Sequence, residues 1–317
     1  MNQGWTYTDR VKPTATGQTV LDYYTQRYRH SSRALWQSRI EQGQILLDGQ
    51  RVSAQTELKG GQGLSYYRLP WQEPTAPLNF EVLYEDAELW AITKPSGLPV
   101  LPGGGFLEHT VLHQMRSRYP TEDPVPVHRL GRGTSGVMLL AKSYAAREHL
   151  SRQLRIRSMR KIYRALIGPT EAASLPTRFT CKYPIGKLPY PRLGYLYGHI
   201  PTGMAAHSEC AVVERGLHAT LLEVSILTGR PHQIRIHLAA AGYPLLGDPL
   251  YSVGGVPLEG GSAIPGDCGY HLHAHRLRFI HPRSGKPVSV VAEPPAILRS
   301  SALRALPDDW EDPVDGG

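Results

Sequence analysis

The apolar positions of residues 17–70 predict two short helices followed by a β-hairpin. The first helix repeats apolar residues at roughly helical spacing, at Val20, Leu21, Tyr24 and Tyr28. The second helix begins after Ser31 or Ser32, either of which can cap it, and stops at Gly43. Asp48-Gly49 then lies between two apolar segments, and this dipeptide accepts the positive φ angles of a tight turn. These residues are therefore expected to form a small α+β unit.

From residue 80 onward the pattern changes to short apolar segments separated by glycine and proline, which predicts a strand-rich, mixed fold. The predicted strands are Val82–Tyr84, Leu89–Ile92, Val137–Leu140, Tyr163–Ile167 and Ala219–Val224. The clearest helix covers Ala145 to about Met159 and carries several arginines. Residues 71–77 contain two prolines and no periodicity, so they predict a linker. We expect a small module with its linker at 1–75 and a larger domain at 76–317.

The charge of the 317-residue chain narrows the class of partner. Its 35 Lys and Arg residues exceed its 27 Asp and Glu residues, and the net charge of +8 favours a polyanion such as nucleic acid. The three cysteines are odd in number and far apart, so neither a disulfide framework nor a CxxC metal site is expected. No apolar run approaches the ~20 residues that cross a bilayer. We therefore expect a cytoplasmic protein that binds nucleic acid and no membrane.

Gly131, Gly133 and Gly136 form a literal GxGxxG pattern, which is found in dinucleotide-binding sites. Such a site needs a strand before the glycines, a helix after them and an acidic residue about 20 positions on. Here the glycines lead instead into the strand-like segment Val137–Leu140 and then into a basic helix. A dinucleotide site is therefore not expected.

Together with its neighbours, this stretch resembles the central motif of the RluA family of RNA pseudouridine synthases, HRLDxxTSG followed by apolar residues and Ala-Lys. Five further segments resemble family motifs in the expected order: Thr93–Val100, Lys161–Leu166, Leu227–Leu238, Gly247–Tyr251 and Leu272–Leu277. The resemblance implies an α+β fold in which a mixed, mainly antiparallel pseudouridine synthase domain follows the small module. It also implies isomerisation of uridine to pseudouridine in structured RNA, with ribosomal RNA the expected class. No cofactor is implied, because the isomerisation involves no net redox change.

The central motif departs from the family at one position, because Gly131 stands where the family carries its catalytic aspartate. Moving uracil from N1 to C5 needs a group at the sugar that acts as a nucleophile or as a base. No Asp or Glu lies between Asp123 and Glu148, so only residues outside the motif can supply a carboxylate. Asp123 and Glu122, on the preceding loop, are candidates, whereas the resemblance gives Asp86 and Asp248 structural roles.

The resemblance carries further roles to matching residues. Arg129 helps to displace the target base, His128 supports the loop within the RNA-binding surface, and Tyr163 offers its ring and hydroxyl to uracil. Arg235 pairs with the aspartate in the family. Opposite Gly131 it lacks that partner, so a phosphate or another carboxylate is expected to approach it, since a buried unpaired guanidinium is costly.

Residues 17–70 resemble a small RNA-binding module shared with a ribosomal small-subunit protein, and Arg33 and Arg39 on its second helix are expected to bind RNA. Arg155 and Lys161, on and after the basic helix, are expected to contact backbone phosphates.

Two alternatives remain open. His271, His273 and His275 alternate along a predicted strand and suggest a metal site, but the family's chemistry needs no metal and none is expected. Gly131 leaves two hypotheses for function: an active synthase whose catalytic group comes from elsewhere, or a catalytically silent RNA-binding protein or RNA assembly factor.

Overall fold

The computed structural model describes residues 1–169, 174–190 and 193–300, and the chain divides into two compact units. The first unit, here called the N-terminal unit, comprises Met1–Thr75, Pro102–His109 and the described residues of Pro189–Tyr195. The second, here called the C-terminal unit, comprises the described residues of Ala76–Leu101, Thr110–Leu188 and Leu196–Gly317.

Two helices and a four-stranded antiparallel sheet form the N-terminal unit. Its elements are β1 (Trp5–Arg10), α1 (Val20–Arg27), α2 (Arg33–Glu41), β2 (Ile45–Leu47), β3 (Gln50–Arg51) and β4 (Gly63–Arg68), with the strands in the order β1-β4-β2-β3. The Thr19 hydroxyl caps α1 and the Ser32 hydroxyl caps α2, each accepting a backbone N–H three residues on. The predicted helices and hairpin are confirmed. The pattern missed β1, because this edge strand is almost entirely exposed and shows no apolar alternation.

The segment predicted as a linker is attached to the N-terminal unit at Glu73. This carboxylate is buried and accepts hydrogen bonds from the Asn2 side chain and from the backbone N–H groups of Leu107, Glu108 and His109, at 2.8–3.0 Å. These donors outweigh the desolvation of the carboxylate and lower the pKa of Glu73 to about 2. Residues 71–77 therefore contain an anchoring charge, although they form no helix or strand.

The C-terminal unit is built on a ten-stranded sheet. The elements after residue 76 are β5 (Glu81–Glu85), β6 (Leu89–Lys94), α3 (Val111–Arg118), β7 (Val125–Pro126), β8 (Ser135–Ala141), α4 (Tyr144–Arg155), β9 (Arg160–Ile167), β10 (Arg178–Cys181), β11 (Ile185–Tyr190), β12 (Gly194–His199), β13 (Ser208–Arg215), β14 (Thr220–Ile226), α5 (Gln233–Ala240), β15 (Tyr251–Ser252), β16 (Val256–Pro257), β17 (Leu272–Ile280) and β18 (Pro287–Val291). The sheet runs β10-β13-β14-β9-β17-β8-β6-β5, with β18 beside β17 and β7 beside β8. The mixed, mainly antiparallel α+β class is confirmed.

The basic helix α4 is shorter than predicted. It ends at Arg155 instead of about Met159, Arg157 takes a positive φ of 64°, and β9 begins at Arg160. Lys161 therefore lies on a strand of the sheet. Along the part of the chain that the structure describes, no helix is long and apolar enough to span a membrane.

The glycines 131, 133 and 136 introduce β8 rather than a helix, as expected. β8 is buried along its whole length and pairs in parallel with β17 at Gly136 and Ala274. Gly136 has a φ of 109°, and a Cβ there would overlap the Ala274 backbone, so this close approach of two strands requires glycine. The strand pairing brings the loop before β8 next to the segment that enters β17.

Candidate active site

Lys94, the last residue of β6, holds the loop at residues 127–134 in place through hydrogen bonds. The fully buried Lys94 ammonium donates hydrogen bonds to the carbonyl oxygens of Pro95 and Leu98 at 2.8 Å and of Arg132 at 3.1 Å. Burial lowers the pKa of Lys94 to about 7. The Ser96 hydroxyl donates to the Gly133 carbonyl at 2.8 Å, so the Lys-Pro turn holds the loop at two consecutive peptide groups.

His128 attaches the same loop to β8. Its Nε2 accepts a hydrogen bond from the Leu139 backbone N–H at 3.2 Å, which agrees with the expected supporting role. Burial, with a smaller contribution from the nearby charge of Lys161, lowers the pKa of His128 to about 4. His128 is therefore neutral near pH 7, as its acceptor role requires.

Arg235 projects from α5 into a buried ion pair with Asp248. Its Nε and one terminal nitrogen each donate to a different Asp248 oxygen at 2.7 Å, and its other terminal nitrogen donates to the Pro265 carbonyl at 3.4 Å. The two side chains are 2% and 1% exposed. The expectation that another carboxylate approaches Arg235 is confirmed.

Asp248 is buried and bonded to four donors of the protein. Three of them bond its Oδ1: a terminal nitrogen of Arg235 and the backbone N–H groups of Leu250 at 2.9 Å and Tyr251 at 3.1 Å. The fourth, Arg235 Nε, bonds Oδ2, and the Asp248 side chain is 1% exposed. Asp248 therefore holds Arg235 in place and, being buried, is not available to a substrate as a base or a nucleophile.

Gly131 lies at the surface of the loop, directly beside Tyr270. A Cβ at this position would lie 3.0 Å from the Tyr270 hydroxyl and 3.5 Å from the Thr134 hydroxyl. The two candidate carboxylates on the preceding loop point to other partners, since Glu122 pairs with Lys142 and Asp123 with Arg116. Neither supplies the missing group at Gly131.

Tyr163 lies in the middle of β9, in register with Ala274 of β17 and Val224 of β14. Its ring belongs to the same buried apolar cluster as Leu130 and Tyr270, and burial raises the pKa of Tyr163 to about 12. The sheet thus brings a residue of the Lys161–Leu166 motif to the central motif, although the two are separate in sequence.

Known proteins share this arrangement of motifs. A family model described as RNA pseudouridylate synthase matches residues 88–240. An uncharacterized RNA pseudouridine synthase of Synechocystis sp. is 52% identical over 287 residues, which cover 90% of this chain and 98% of that protein. The chain belongs to the RluA family of RNA pseudouridine synthases. It is thus an isomerase that acts on RNA.

More distant relatives agree. The ribosomal large subunit pseudouridine synthase D of Xanthomonas campestris is 34% identical, over 93% of this chain and 91% of that protein. The solved structure of human RNA pseudouridylate synthase domain containing 1 has the same fold, with a TM-score of 0.54 at 24% identity, covering 70% of this chain and 86% of that one.

Within this family framework, Arg129 is the most accessible residue of the central motif. It is exposed, and it makes no hydrogen bond or ion pair with any residue in 1–169, 174–190 or 193–300. A guanidinium without a protein partner remains available for RNA. Arg155 is likewise exposed at the end of α4, whereas Lys161 is half-buried, its ammonium beside Gly229 of the Leu227–Leu238 motif.

Two of the three alternating histidines of the metal alternative, His273 and His275, bind the protein itself. His273 bonds the Ser135 hydroxyl at 2.8 Å and the Ala292 carbonyl at 3.2 Å, and His275 bonds the same carbonyl at 2.9 Å. Among the described residues, no group of three or more His, Cys, Asp or Glu side chains could hold a metal ion.

Sequence reasoning missed the two residues that complete this site, Asp248 as the partner of Arg235 and Tyr270 beside Gly131. The family resemblance gives Asp248 a structural role, and the signal that points to the pair is the loss of a carboxylate opposite a retained arginine. Tyr270 stands just before the predicted strand, outside the family motifs, so no pattern in the sequence indicates it.

Proposed function

We propose that the chain isomerises uridine to pseudouridine in structured RNA and that its substrate is ribosomal RNA. The observation that carries the proposal is the Arg235–Asp248 pair, which keeps the arginine of the family motif in place although residue 131 offers no partner. The name of the 34% identical relative supports the choice of ribosomal RNA.

Two residues, Arg129 and Tyr163, carry the recognition of the target nucleotide in this proposal, and Arg235 positions the site. Arg129 occupies the space that the displaced uridine leaves in the stack, at a cost of a few kcal/mol for unstacking. Tyr163 presents its ring to the uracil. Arg235, whose three guanidinium nitrogens are all bonded within the protein, is a positioning residue rather than a contact to RNA.

The N-terminal residues 1–75 serve as the RNA-docking module, and residues 76–317 as the catalytic domain, in the cytoplasm and without a cofactor. Arg39 supports this role because its guanidinium lies over Trp36 and Tyr66, at 4.5 and 5.5 Å, and pairs with no carboxylate among the described residues. The exposed Arg155 adds positive charge for backbone phosphates, and Arg33, which pairs with Asp22, contributes less to RNA binding than the unpaired arginines.

Release of tritium from RNA labelled at uridine C5 tests the reaction, because C5 loses its hydrogen only when the base is reattached through that atom. We expect release by the purified protein and a loss of about tenfold or more with Arg129→Ala, which removes an exposed side chain without a partner. Arg283→Ala, at another exposed arginine, is the matched control and should leave the rate unchanged.

Ribosomal RNA and a mixture of transfer RNAs, labelled in the same way, identify the substrate class. Wild-type protein that binds ribosomal RNA but releases no tritium from either would instead be a catalytically silent RNA-binding protein, the alternative that Gly131 raises.

A further inference from the structure

Gly131 and Gly133 both face the side chain of Tyr270. A Cβ at Gly133 would lie 2.9 Å from Cζ and 3.1 Å from the hydroxyl of Tyr270, closer than real side chains approach. A Cβ at Gly131 would lie 3.0 Å from the same hydroxyl, with no ring carbon of Tyr270 within 4 Å. The ring therefore fits because both loop positions are glycine, and only its hydroxyl reaches Gly131.

The Tyr270 oxygen lies close to the position from which a side chain at residue 131 would extend. An aspartate carries its oxygens two bonds beyond Cβ, and the Tyr270 hydroxyl lies 3.0 Å from the Cβ position of residue 131. A different segment of the chain thus supplies an oxygen beside residue 131.

Burial, charges and a hydrogen bond act in opposite directions on the ionisation of the Tyr270 phenol. The Arg235 guanidinium lies 4.2 Å from the Tyr270 ring centroid, held there by Asp248, and the Thr134 hydroxyl lies 3.3 Å from the Tyr270 oxygen. The titratable groups that act on Tyr270 are Arg235, which favours the phenolate, and Asp248 and Cys268, which oppose it. Burial is the largest effect and raises the pKa of Tyr270 above its usual value.

We propose that the Tyr270 oxygen performs, at the ribose of the target uridine, the reaction for which the family uses the aspartate that Gly131 replaces. This inference rests on the proposed function. As the phenolate, Tyr270 takes the proton from ribose C2′ while the bond between C1′ and N1 breaks. The electrons of the C2′–H bond form a C1′=C2′ double bond, and those of the broken bond leave with the uracil.

The second half of the reaction returns the proton. The uracil turns so that C5 faces C1′, the Tyr270 hydroxyl gives its proton back to C2′, and C5 bonds to C1′. C5 then releases its hydrogen to solvent as a proton and N1 takes one up, so the net change is an isomerisation and Tyr270 ends as the phenolate.

A phenolate suits proton removal from carbon. Tyrosine in water is about six pH units more basic than aspartate, so its ionised form is far the stronger base. The cost is that only a small fraction of Tyr270 is ionised near neutral pH. The wild-type rate should therefore rise with pH, whereas a carboxylate base is fully ionised above about pH 6 and gives a constant rate there.

Tyr270→Phe tests the proposal, because it removes the oxygen and keeps the ring that packs on the loop. Tritium release should fall by about 100-fold or more, the usual contribution of a general base, while RNA affinity stays unchanged. Tyr119→Phe, which removes a hydroxyl that donates to Glu85, is the matched control and should keep the wild-type rate. A Tyr270→Phe rate within about twofold of wild type would overturn the proposal, since a general base contributes at least about 100-fold.

The double variant Gly131→Asp/Tyr270→Phe gives a second, independent test. Removing the hydroxyl clears the space at residue 131, so the aspartate should restore release and make the rate constant between about pH 6 and 9. The wild-type rate should rise about tenfold per pH unit over that range, and a constant wild-type rate would overturn the role of Tyr270. A wild-type protein silent at every pH would overturn the proposed function itself.

Discussion

The surroundings of Arg235 in the C-terminal unit contrast with those of two arginines in the N-terminal unit. Arg235 is buried, paired with Asp248 and hydrogen-bonded through all three guanidinium nitrogens. In the N-terminal unit, Arg39 and Arg68 lie over the rings of Trp36 and Trp71, and neither pairs with a carboxylate in the part of the chain that the structure describes. A neutralised cation can only position its neighbours, whereas a cation on an aromatic surface remains available to a polyanion.

The contrast holds within the N-terminal unit as well. Arg27 pairs with Asp9 at 2.7 Å and Arg33 with Asp22 at 2.6 Å, so half of these four arginines are already neutralised. Sequence alone treats all such arginines as one basic surface. The structure separates those that stabilise the unit from those that are free to bind RNA.

Asp248→Asn should have the largest effect on stability, because it leaves the Arg235 charge buried without its counter-ion. We expect a loss of about 3–5 kcal/mol in the free energy of unfolding, measured by denaturant titration. The control is Asp267→Asn, which alters a more exposed pair with Arg132 at 3.9 Å. A loss for Asp248→Asn no larger than for the control would show that the buried pair does not hold the site.

Glu73→Gln tests whether the burial of a charged side chain, rather than the unit in which it lies, decides whether that charge stabilises the fold. Glu73 is in the N-terminal unit but is as fully bonded as Asp248, so its loss should cost about 1–3 kcal/mol at pH 7.

The pH dependence of Glu73 gives a second readout. Its pKa is lowered to about 2 in the folded protein, so the stability it contributes is present above the ordinary glutamate pKa and is lost as the pH falls towards 2. Wild-type protein should therefore lose more stability than Glu73→Gln between about pH 6 and about pH 3. Equal losses in the two proteins would contradict the assignment of this acid sensitivity to Glu73.

Arg39→Gln/Arg68→Gln should have the smallest effect on stability, below about 1 kcal/mol, because no ion pair is broken. RNA affinity should fall on the order of tenfold, and the slope of log affinity against log salt should become shallower by about 1–2. Arg33→Gln, at an arginine already paired with Asp22, is the matched control. Equal losses of affinity for the control and the double variant would remove the distinction between paired and unpaired arginines.

Five strands of the C-terminal unit, β5, β6, β8, β9 and β14, could be predicted because each carries its own apolar segment. Val137–Leu140, for example, lies inside the fully buried β8. The contacts that define the site could not be predicted in this way. Arg235 with Asp248, and Gly131 with Tyr270, join positions that belong to different motifs, and a pattern read along one segment carries no information about its partner in space. The anchoring role of Glu73 could not be predicted for a related reason, since its backbone hydrogen-bond donors lie in residues 107–109.

The separation of these partners along the chain also sets the order in which the site can assemble during synthesis. Arg235 meets Asp248 only 13 residues later, so this pair can form as soon as that short stretch leaves the ribosome. The contact between the glycine loop and Tyr270 forms much later in synthesis, because Thr134 and Tyr270 are 136 residues apart. We expect nascent chains arrested before Tyr270 to leave residues 131–134 open to protease, and chains that extend past β17 to protect them. An enzyme assembled in this order gains its catalytic pocket only when almost the entire polypeptide has been translated, so an incomplete chain carries RNA-binding charge but no isomerase activity.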